Sequence, residues 1–388
     1  MTLRVVISAG EVSGDQHLGR VVRSLKALDP AVEVRGMGGK ECREAGADLV
    51  VDCYRSGAAM GFWELLSSAR KIFTSFRTMS SLIRTWKPDV VVLVDYPDFN
   101  LRLARVAHEA GCFVLYYIPP KMWAWRSGRV EKVKEYVDHV AAIFPFEREW
   151  YHEHGYDRVS YVGHPLVDEN RGVVVQEARE PLVLLMPGSR NAEIERMLLP
   201  MLQAFERIRR KKPEVRAVVM LADNMSEEWA KQQAATVLAA ETLGAIDWRR
   251  GNVVPEMQRA RAGILKSGTC NLEGAIAGLP FVCTYSGTLL AKIIVKLIVR
   301  LKEYSPVNIM KAHTVREFIR VWHDPEQLER ELLRVYEDGP ARQKMLADLH
   351  DVRTRLFGVD AAGGSGDTVA HRVAQLICKA KTNERRVA

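Results

Sequence analysis

Short apolar runs rich in β-branched residues recur at 4–9, 32–37, 89–94, 112–118, 139–144 and 159–162. Near-continuous runs of this length predict strands covered on both faces, as in a parallel sheet. Between them, apolar positions return every three or four residues over 15–28, 62–86 and 100–110, which predicts helices with one face toward a sheet. A polar, patternless segment at 168–180 is the natural linker. After it the alternation starts again, with strands expected at 182–186, 215–221, 263–265 and 281–285. From 324 to 381 the pattern is helical almost throughout, and its end is expected to pack back on the first domain.

Strand and helix alternating in this way predict an α/β fold with a mainly parallel sheet in each half. The expected organisation is an N-terminal domain over 1–170, joined by a C-terminal helix at about 345–388, and a second domain over 175–340. Doubly wound sheets carry ligands at the carboxyl ends of their strands, so two in tandem are expected to face each other across a central cleft.

At 388 residues the chain suits two domains better than one. Its formal charge of +8 favours an anionic partner, whether nucleic acid, phosphorylated sugar or membrane surface. Neither zinc-finger spacing nor an aromatic RNA-stacking motif accompanies that charge, which argues against nucleic acid. The six cysteines stand singly, without CxxC pairs, as in a reducing cytoplasm. The opening MTLRVVISAGEVSGD lacks the long apolar stretch of a secretory signal, and no apolar segment is long enough to cross a bilayer.

Five loops can carry chemistry. AGEVSGD, at 9–15, follows the first strand, and its two glycines let backbone N–H groups approach a ligand closely. It is neither a Walker loop nor GxGxxG, and the alternative is a tight turn with Ser13 or Asp15 capping the helix. In DYPDFN, at 95–100, two carboxylates three apart close an apolar strand. An inverting sugar transfer needs a carboxylate to take a proton from the attacking hydroxyl, and one of these two suits that task; the alternative is an Asx turn or cap at Asp98. In PPKMWAWR, at 119–126, Trp123, Trp125, Lys121 and Arg126 could bind a sugar face and a phosphate, or the tryptophans could be buried anchors. In the second half, MPGSR at 186–190 runs from strand into helix, where N–H groups plus a guanidinium suit a diphosphate. In KSGTCNLE, at 266–273, Ser267 and Thr269 offer hydroxyls and N–H groups, while Glu273 lies one turn on, able to accept both hydroxyls of a ribose; a capping box is compatible with that.

Two stretches mix apolar and basic residues. The segment 61–86 interleaves Phe62, Trp63, Leu65, Leu66, Ile72, Phe73, Phe76 and Leu82 with Arg70, Lys71, Arg77 and Arg84, the composition of a helix that can lie on an anionic membrane or pack on a sheet. In 292–304, Lys292, Lys296 and Arg300 stand four apart on an otherwise apolar helix, a pattern that core packing with snorkelling lysines also gives. His152 and His154 have no zinc spacing, and no metal is expected.

Taken together in order, AGEVSGD, GMGG (36–39), MGFWELL (60–66), DYPDFNL (95–101), WAWR (123–126), FPFE (144–147), VGHPL (162–166), MPGSRNAEI (186–194) and SGTCNLE (267–273) resemble the lipid-A-disaccharide synthase family over nearly the whole chain. The resemblance implies a GT-B fold, two Rossmann-like domains with the UDP-sugar donor on the second and the acylated sugar phosphate acceptor on the first. It implies transfer of 2,3-diacylglucosamine from its UDP donor to 2,3-diacylglucosamine 1-phosphate, without metal or other cofactor. Asp98 matches the general base and Glu11 the acidic residue of the first loop. Arg190, Ser267, Thr269 and Glu273 match nucleotide-contacting positions, joined by Ser189, Gly268 and Asn308. Gly10, Ser13, Asp15, Trp123 and Arg126 are the expected acceptor-side residues. The likeness further implies a cytoplasmic protein peripherally bound to the inner membrane, and is compatible with a homodimer. The alternative is a GT-B transferase or epimerase acting on another UDP-sugar.

The chain departs from the family pattern at three places. Ser-Pro-Ser-Val-Trp becomes Pro119-Pro120-Lys121-Met122-Trp123, Ser-Leu-Pro-Asn becomes Ser305-Pro306-Val307-Asn308, and Glu-Leu-Leu-Gln becomes Glu317-Phe318-Ile319-Arg320. These changes cluster around the expected donor and cleft, where they allow a shifted substrate preference.

Overall fold

The structure, a computed structural model, describes residues 2–53, 62–188, 191–286, 303–320, 322–363 and 367–383, without the side chains of 62–69, 191–192, 359–363 and 381–383. The chain divides into two compact units, one of Met1–Glu169 with Leu356–Ala388, the other of Asn170–Arg355.

Unit 1 runs β1 (Arg4–Ala9), α1 (Val12–Leu28), β2 (Glu33–Gly38), α2 (Lys40–Glu44), β3 (Asp48–Asp52), α3 (Phe62–Trp86), β4 (Val90–Val94), α4 (Pro97–Glu109), β5 (Phe113–Tyr117), α5 (Val130–Tyr136), β6 (His139–Ala142), α6 (Pro145–Glu153), β7 (Val159–Tyr161) and α7 (Pro165–Glu169). Its strands form a parallel sheet in the order β3-β2-β1-β4-β5-β6-β7. All five residues of β4 are buried, because helices cover both faces of the sheet. On one face Val91, Leu93, Val114 and Tyr116 meet Met79 and Ile83 of α3 and Leu103 and Ala107 of α4.

Unit 2 continues with β8 (Glu180–Met186), α8 (Asn191–Lys211), β9 (Arg216–Met220), α9 (Glu227–Ala235), α10 (Ala240–Leu243), β10 (Ile246–Arg249), α11 (Val254–Arg259), β11 (Ala260–Lys266), α12 (Cys270–Ile276), β12 (Phe281–Ser286), α13 (Pro306–Met310), β13 (Glu317–Arg320) and α14 (Pro325–Tyr336). The sheet is again parallel, in the order β10-β9-β8-β11-β12-β13, and α14 packs on α8. Two long helices close the chain, α15 (Pro340–Gly363) and α16 (Val369–Asn383). The second packs on α1 and on α7; Val369 N–H donates to Asp168 Oδ2 of α7 at 2.7 Å, and Arg372 to the Val162 carbonyl just after β7 at 3.0 Å.

Both sheets reverse their winding once. In unit 1 the reversal falls between β1 and β4, paired as far as Ala9 and Val94; in unit 2 it falls between β8 and β11, where Leu265 pairs with Met186. Connections leave such a point in opposite directions, opening a crevice beyond the strand ends. The loops that border the two crevices are the stretch after β1 and DYPDFN in unit 1, and in unit 2 KSGT with Met186 and Gly188 at the end of β8.

Candidate functional site

In unit 1 the crevice is built around a strained turn. Asp95 and Tyr96 both adopt left-handed backbone, with φ of 44° and 47°, and Ile118 at the end of β5 does the same with φ 53°. Such conformations are costly for residues other than glycine, most of all for a β-branched isoleucine, and persist only where surrounding bonds enforce them. Here Asn100 does so. Its Nδ2 donates to the carbonyls of Val94 (2.9 Å) and Asp95 (2.8 Å), while Ser8 Oγ donates to its Oδ1 at 2.7 Å. Tyr116 adds a second donor to the Asp95 carbonyl at 2.8 Å. Gly10 is required next to this turn, since a Cβ there would stand 2.4 Å from the Tyr96 ring.

The turn delivers two carboxylates. Asp95 is crowded by protein, which pushes its carboxyl up from the ordinary range against the pull of Lys121. Asp98, in the first turn of α4, is 76 % exposed and pairs through Oδ1 with Arg129, with Arg126 standing 3.9 Å from the same oxygen. Asp98 therefore does not serve as an Asx turn, and Asn100 ties the strand end rather than capping the helix.

The neighbouring loop separates its two tryptophans. Trp123 is an anchor: its Nε1 donates to Glu147 Oε1 at 3.0 Å, and its ring meets Phe144 and Phe146 edge-on. Trp125 is 41 % exposed, with the Arg126 and Arg129 guanidiniums 4.6 and 5.8 Å from its ring centre. Glu11 and Ser13 are exposed beside the crevice, and Glu11 contributes to raising the Tyr96 hydroxyl, after burial.

Asp15 corrects an expectation. It neither caps α1, which already begins at Val12, nor borders the crevice; its carboxylate is fully buried and accepts N–H groups from Gly39 (2.7 Å), Glu41 (3.0 Å) and Cys42 (3.1 Å). Burial alone would raise this carboxyl, but those bonds outweigh it and hold it low. Asp15 thus fixes the start of α2.

In unit 2 a cavity of about 700 Å³ opens beyond β8, β9 and β11, lined by Gly188, Asp223, Lys266, Ser267, Gly268 and Thr269 among others. Thr269 starts α12 without a side-chain capping bond, so the capping alternative is not realised there. Glu273, half-buried one turn on, is not among the lining residues. The loop is held from below by Asn271, which the sequence reading missed. It is buried, donates to the Lys266 carbonyl at 3.2 Å, and accepts from Ser305 Oγ at 3.1 Å and Cys283 Sγ at 3.3 Å. Lys266 is a second omission: largely buried, it pairs with Glu193 at 3.0 Å on the cavity wall. An apolar strand ending in a lysine was the available signal. Ser189 and Arg190 lie outside the described residues, as do 292–302 of the second basic-apolar stretch.

Asn308 also departs from expectation. It is buried and its amide is engaged throughout, donating to Glu303 (3.0 Å), Glu317 (2.8 Å) and the Val315 carbonyl (2.9 Å) and accepting from Val315 N–H (2.9 Å). Glu317 in turn accepts N–H groups from Tyr304 and Ser305, though burial still pushes its carboxyl up. Both residues border a separate cavity of about 590 Å³. Their direct work is to shape the 303–317 turn. Among the described residues no group of three or more His, Cys, Asp or Glu side chains could hold a metal ion.

Comparison with known proteins agrees with this layout. A family model described as lipid-A-disaccharide synthetase matches residues 5–358. A lipid-A-disaccharide synthase of Geobacter metallireducens is 35% identical over 386 residues, covering 97% of this chain and 98% of that protein. One of Trichlorobacter lovleyi is 36% identical over 384 residues, covering 96% and 97%. Among solved structures, a putative UDP-N-acetylglucosamine 2-epimerase of Listeria monocytogenes superposes with a TM-score of 0.63 at 12% identity, covering 99% and 97% of the chains. The MurG of Acinetobacter baumannii gives 0.57 at 14%, covering 97% and 99%. At such identities the structural likeness establishes the GT-B fold alone.

Proposed function

The chain belongs to the lipid-A-disaccharide synthase family of glycosyltransferases, and from that premise we propose that it moves 2,3-diacylglucosamine from a UDP donor to 2,3-diacylglucosamine 1-phosphate. The observation that carries the reading is that DYPDFN and KSGT each border the winding reversal of their own sheet. Asp98 takes the proton of the acceptor 6-hydroxyl while that oxygen attacks the anomeric carbon of the donor. The bond from that carbon to the diphosphate breaks, UDP leaves, and inversion gives the β-1,6 disaccharide 1-phosphate. Asp98 Oδ2 is the oxygen available for this work, since Arg129 engages Oδ1. Glu11, exposed beside Tyr96, is assigned to orienting the acceptor.

On the donor side, the backbone N–H groups of Gly268 and Thr269 and the hydroxyls of Ser267 and Thr269 receive the diphosphate, with Arg190 and Ser189 completing the grip. Glu273, one turn along α12 behind the cavity lining, is assigned to the ribose on the family resemblance alone. Charge developing on the departing UDP is stabilised by these donors, without a metal.

The test is direct. Purified protein incubated with both acylated glucosamine substrates should yield the disaccharide phosphate and UDP by mass spectrometry. Asp98→Ala should lower turnover by about 100-fold or more while leaving UDP affinity intact; unchanged turnover would remove Asp98 from the mechanism.

A further inference from the structure

Beside Asp98, two guanidiniums share one carboxylate oxygen. Arg129 donates to Asp98 Oδ1 and Arg126 stands 3.9 Å from the same atom, so two positive groups face a single negative one. Both lie against the exposed Trp125 ring, whose π-face keeps guanidinium planes in place. Arg126 is also held there by a left-handed backbone, with φ 55°. A preorganised pair of forks with one unit of positive charge left over is a receptor for an anion with several oxygens. Phosphate meets that description better than a carboxylate does, because its oxygens can engage both forks at once.

We propose that Arg126 and Arg129, braced on Trp125, bind the anomeric phosphate of the acceptor, and that phosphate arrival draws Arg129 off Asp98. This assignment rests on the proposed transferase reading. The exchange costs little, because an ion pair to a carboxylate as exposed as Asp98 is largely screened by solvent. Its result is that a substrate carrying phosphate releases Oδ1 as well, relieving the base of the cation that competes for its negative charge. Phosphate and nucleophilic hydroxyl belong to the same sugar ring, so Arg126 and Arg129 act as positioning residues for the group presented to Asp98.

The experiment measures binding without turnover. Calorimetry on the full chain uses glucosamine 1-phosphate, inorganic phosphate and glucosamine as probes. Glucosamine 1-phosphate should bind tighter than either fragment. Arg126→Ala/Arg129→Ala should weaken it at least about tenfold, and Asp98→Asn, which removes the competing carboxylate, should tighten it by about threefold or more. A structural role for the arginines predicts no gain on Asp98→Asn. Weaker or unchanged binding in Asp98→Asn, unchanged binding in the double variant, or equal affinity for inorganic phosphate would each overturn the proposal. Should the double variant fail to fold, the half-exposed Arg126→Ala and Asp98→Asn decide the matter alone. Absence of disaccharide from the wild-type chain, with the binding order intact, would count against the transferase reading and leave the phosphate site standing.

Discussion

Glu147 is a carboxyl in an apolar setting, surrounded by Phe144, Trp123 and Tyr151 and almost fully buried. Burial pushes it up from 4.5 to about 7, even though it accepts N–H groups from Phe144, Trp123 and Ile143. A carboxyl that keeps its proton longer folded than unfolded stabilises the fold in acid. That contribution is complete below about pH 4.5 and is lost as pH rises through 7. Glu147→Gln should therefore flatten the decline, and the stability difference between wild type and variant should change by on the order of 3 kcal/mol between those limits. Urea titrations at a series of pH values measure it, and parallel curves would show that Glu147 does not titrate. His17 and His164, pushed down by burial to about 4 and about 3, act with the opposite sign: they stabilise above about pH 6.5 and lose that as pH falls through their folded values. Taking the wild-type-minus-variant difference separates Glu147 from them. Residues such as this mark the limit of sequence reading. Asp15, Asn308 and Trp123 carry functional-looking chemistry in loop motifs, yet each is spent on backbone or buried partners that only the fold brings near. Asp98 and Thr269 could be placed from sequence because a strand end and a turn locate them without long-range contacts.

Elements show the same division. The strand expected at 4–9 is β1, and the runs at 89–94 and 281–285 lie within a residue of β4 and β12 at either end. The strands missed are β3, β10 and β13, and all three are sheet edges. Their sequences, DLVVD, IDWR and EFIR, mix charge with apolar residues because an edge strand is partly solvated, so no continuous apolar run announces them. The segment read as a patternless linker holds a similar surprise. Arg179 donates to five carbonyls, of Met257, Gln258 and Ala260 through Nη1 and of Ala277 and Gly278 through Nη2, at 2.7 to 3.2 Å. It thereby ties the ends of α11 and α12 to the start of β11. Burial lowers its guanidinium to about 10 without removing its charge at neutral pH. Arg179→Ala should cost roughly 2–4 kcal/mol, read as a lower urea midpoint, because it strands several carbonyls at once. Arg179→Lys, with one ammonium in place of a two-armed fork, should recover only part. A loss below about 0.5 kcal/mol would mean that water replaces the fork.

For the molecule as a whole, charge and apolar exposure point to one kind of surface. The chain carries 56 basic against 48 acidic residues, and its proposed substrates hold acyl chains that sit in a bilayer. Among the described residues no helix is long and apolar enough to cross a membrane. On α3, however, Phe73 is 62 % exposed and Ile72 41 %, with Arg70, Lys71 and Arg77 alongside and the Arg77 guanidinium 5.9 Å from the Phe73 ring. Of the two readings open for this helix, packing on the sheet explains Met79 and Ile83, which are buried, and leaves Ile72 and Phe73 without a purpose. A peripheral membrane contact would give them one, with the Phe73 ring and the Ile72 side chain in the headgroup layer and the cations against anionic lipid. The protein should then sediment with vesicles containing anionic lipid and less so with neutral ones, and binding should fall as salt rises, since screening shortens the reach of each charge. Ile72→Ser/Phe73→Ser should weaken sedimentation by about tenfold, from the lost apolar burial, while UDP affinity stays unchanged. Binding indifferent to salt, or equal in the variant, would place the contact elsewhere on the surface.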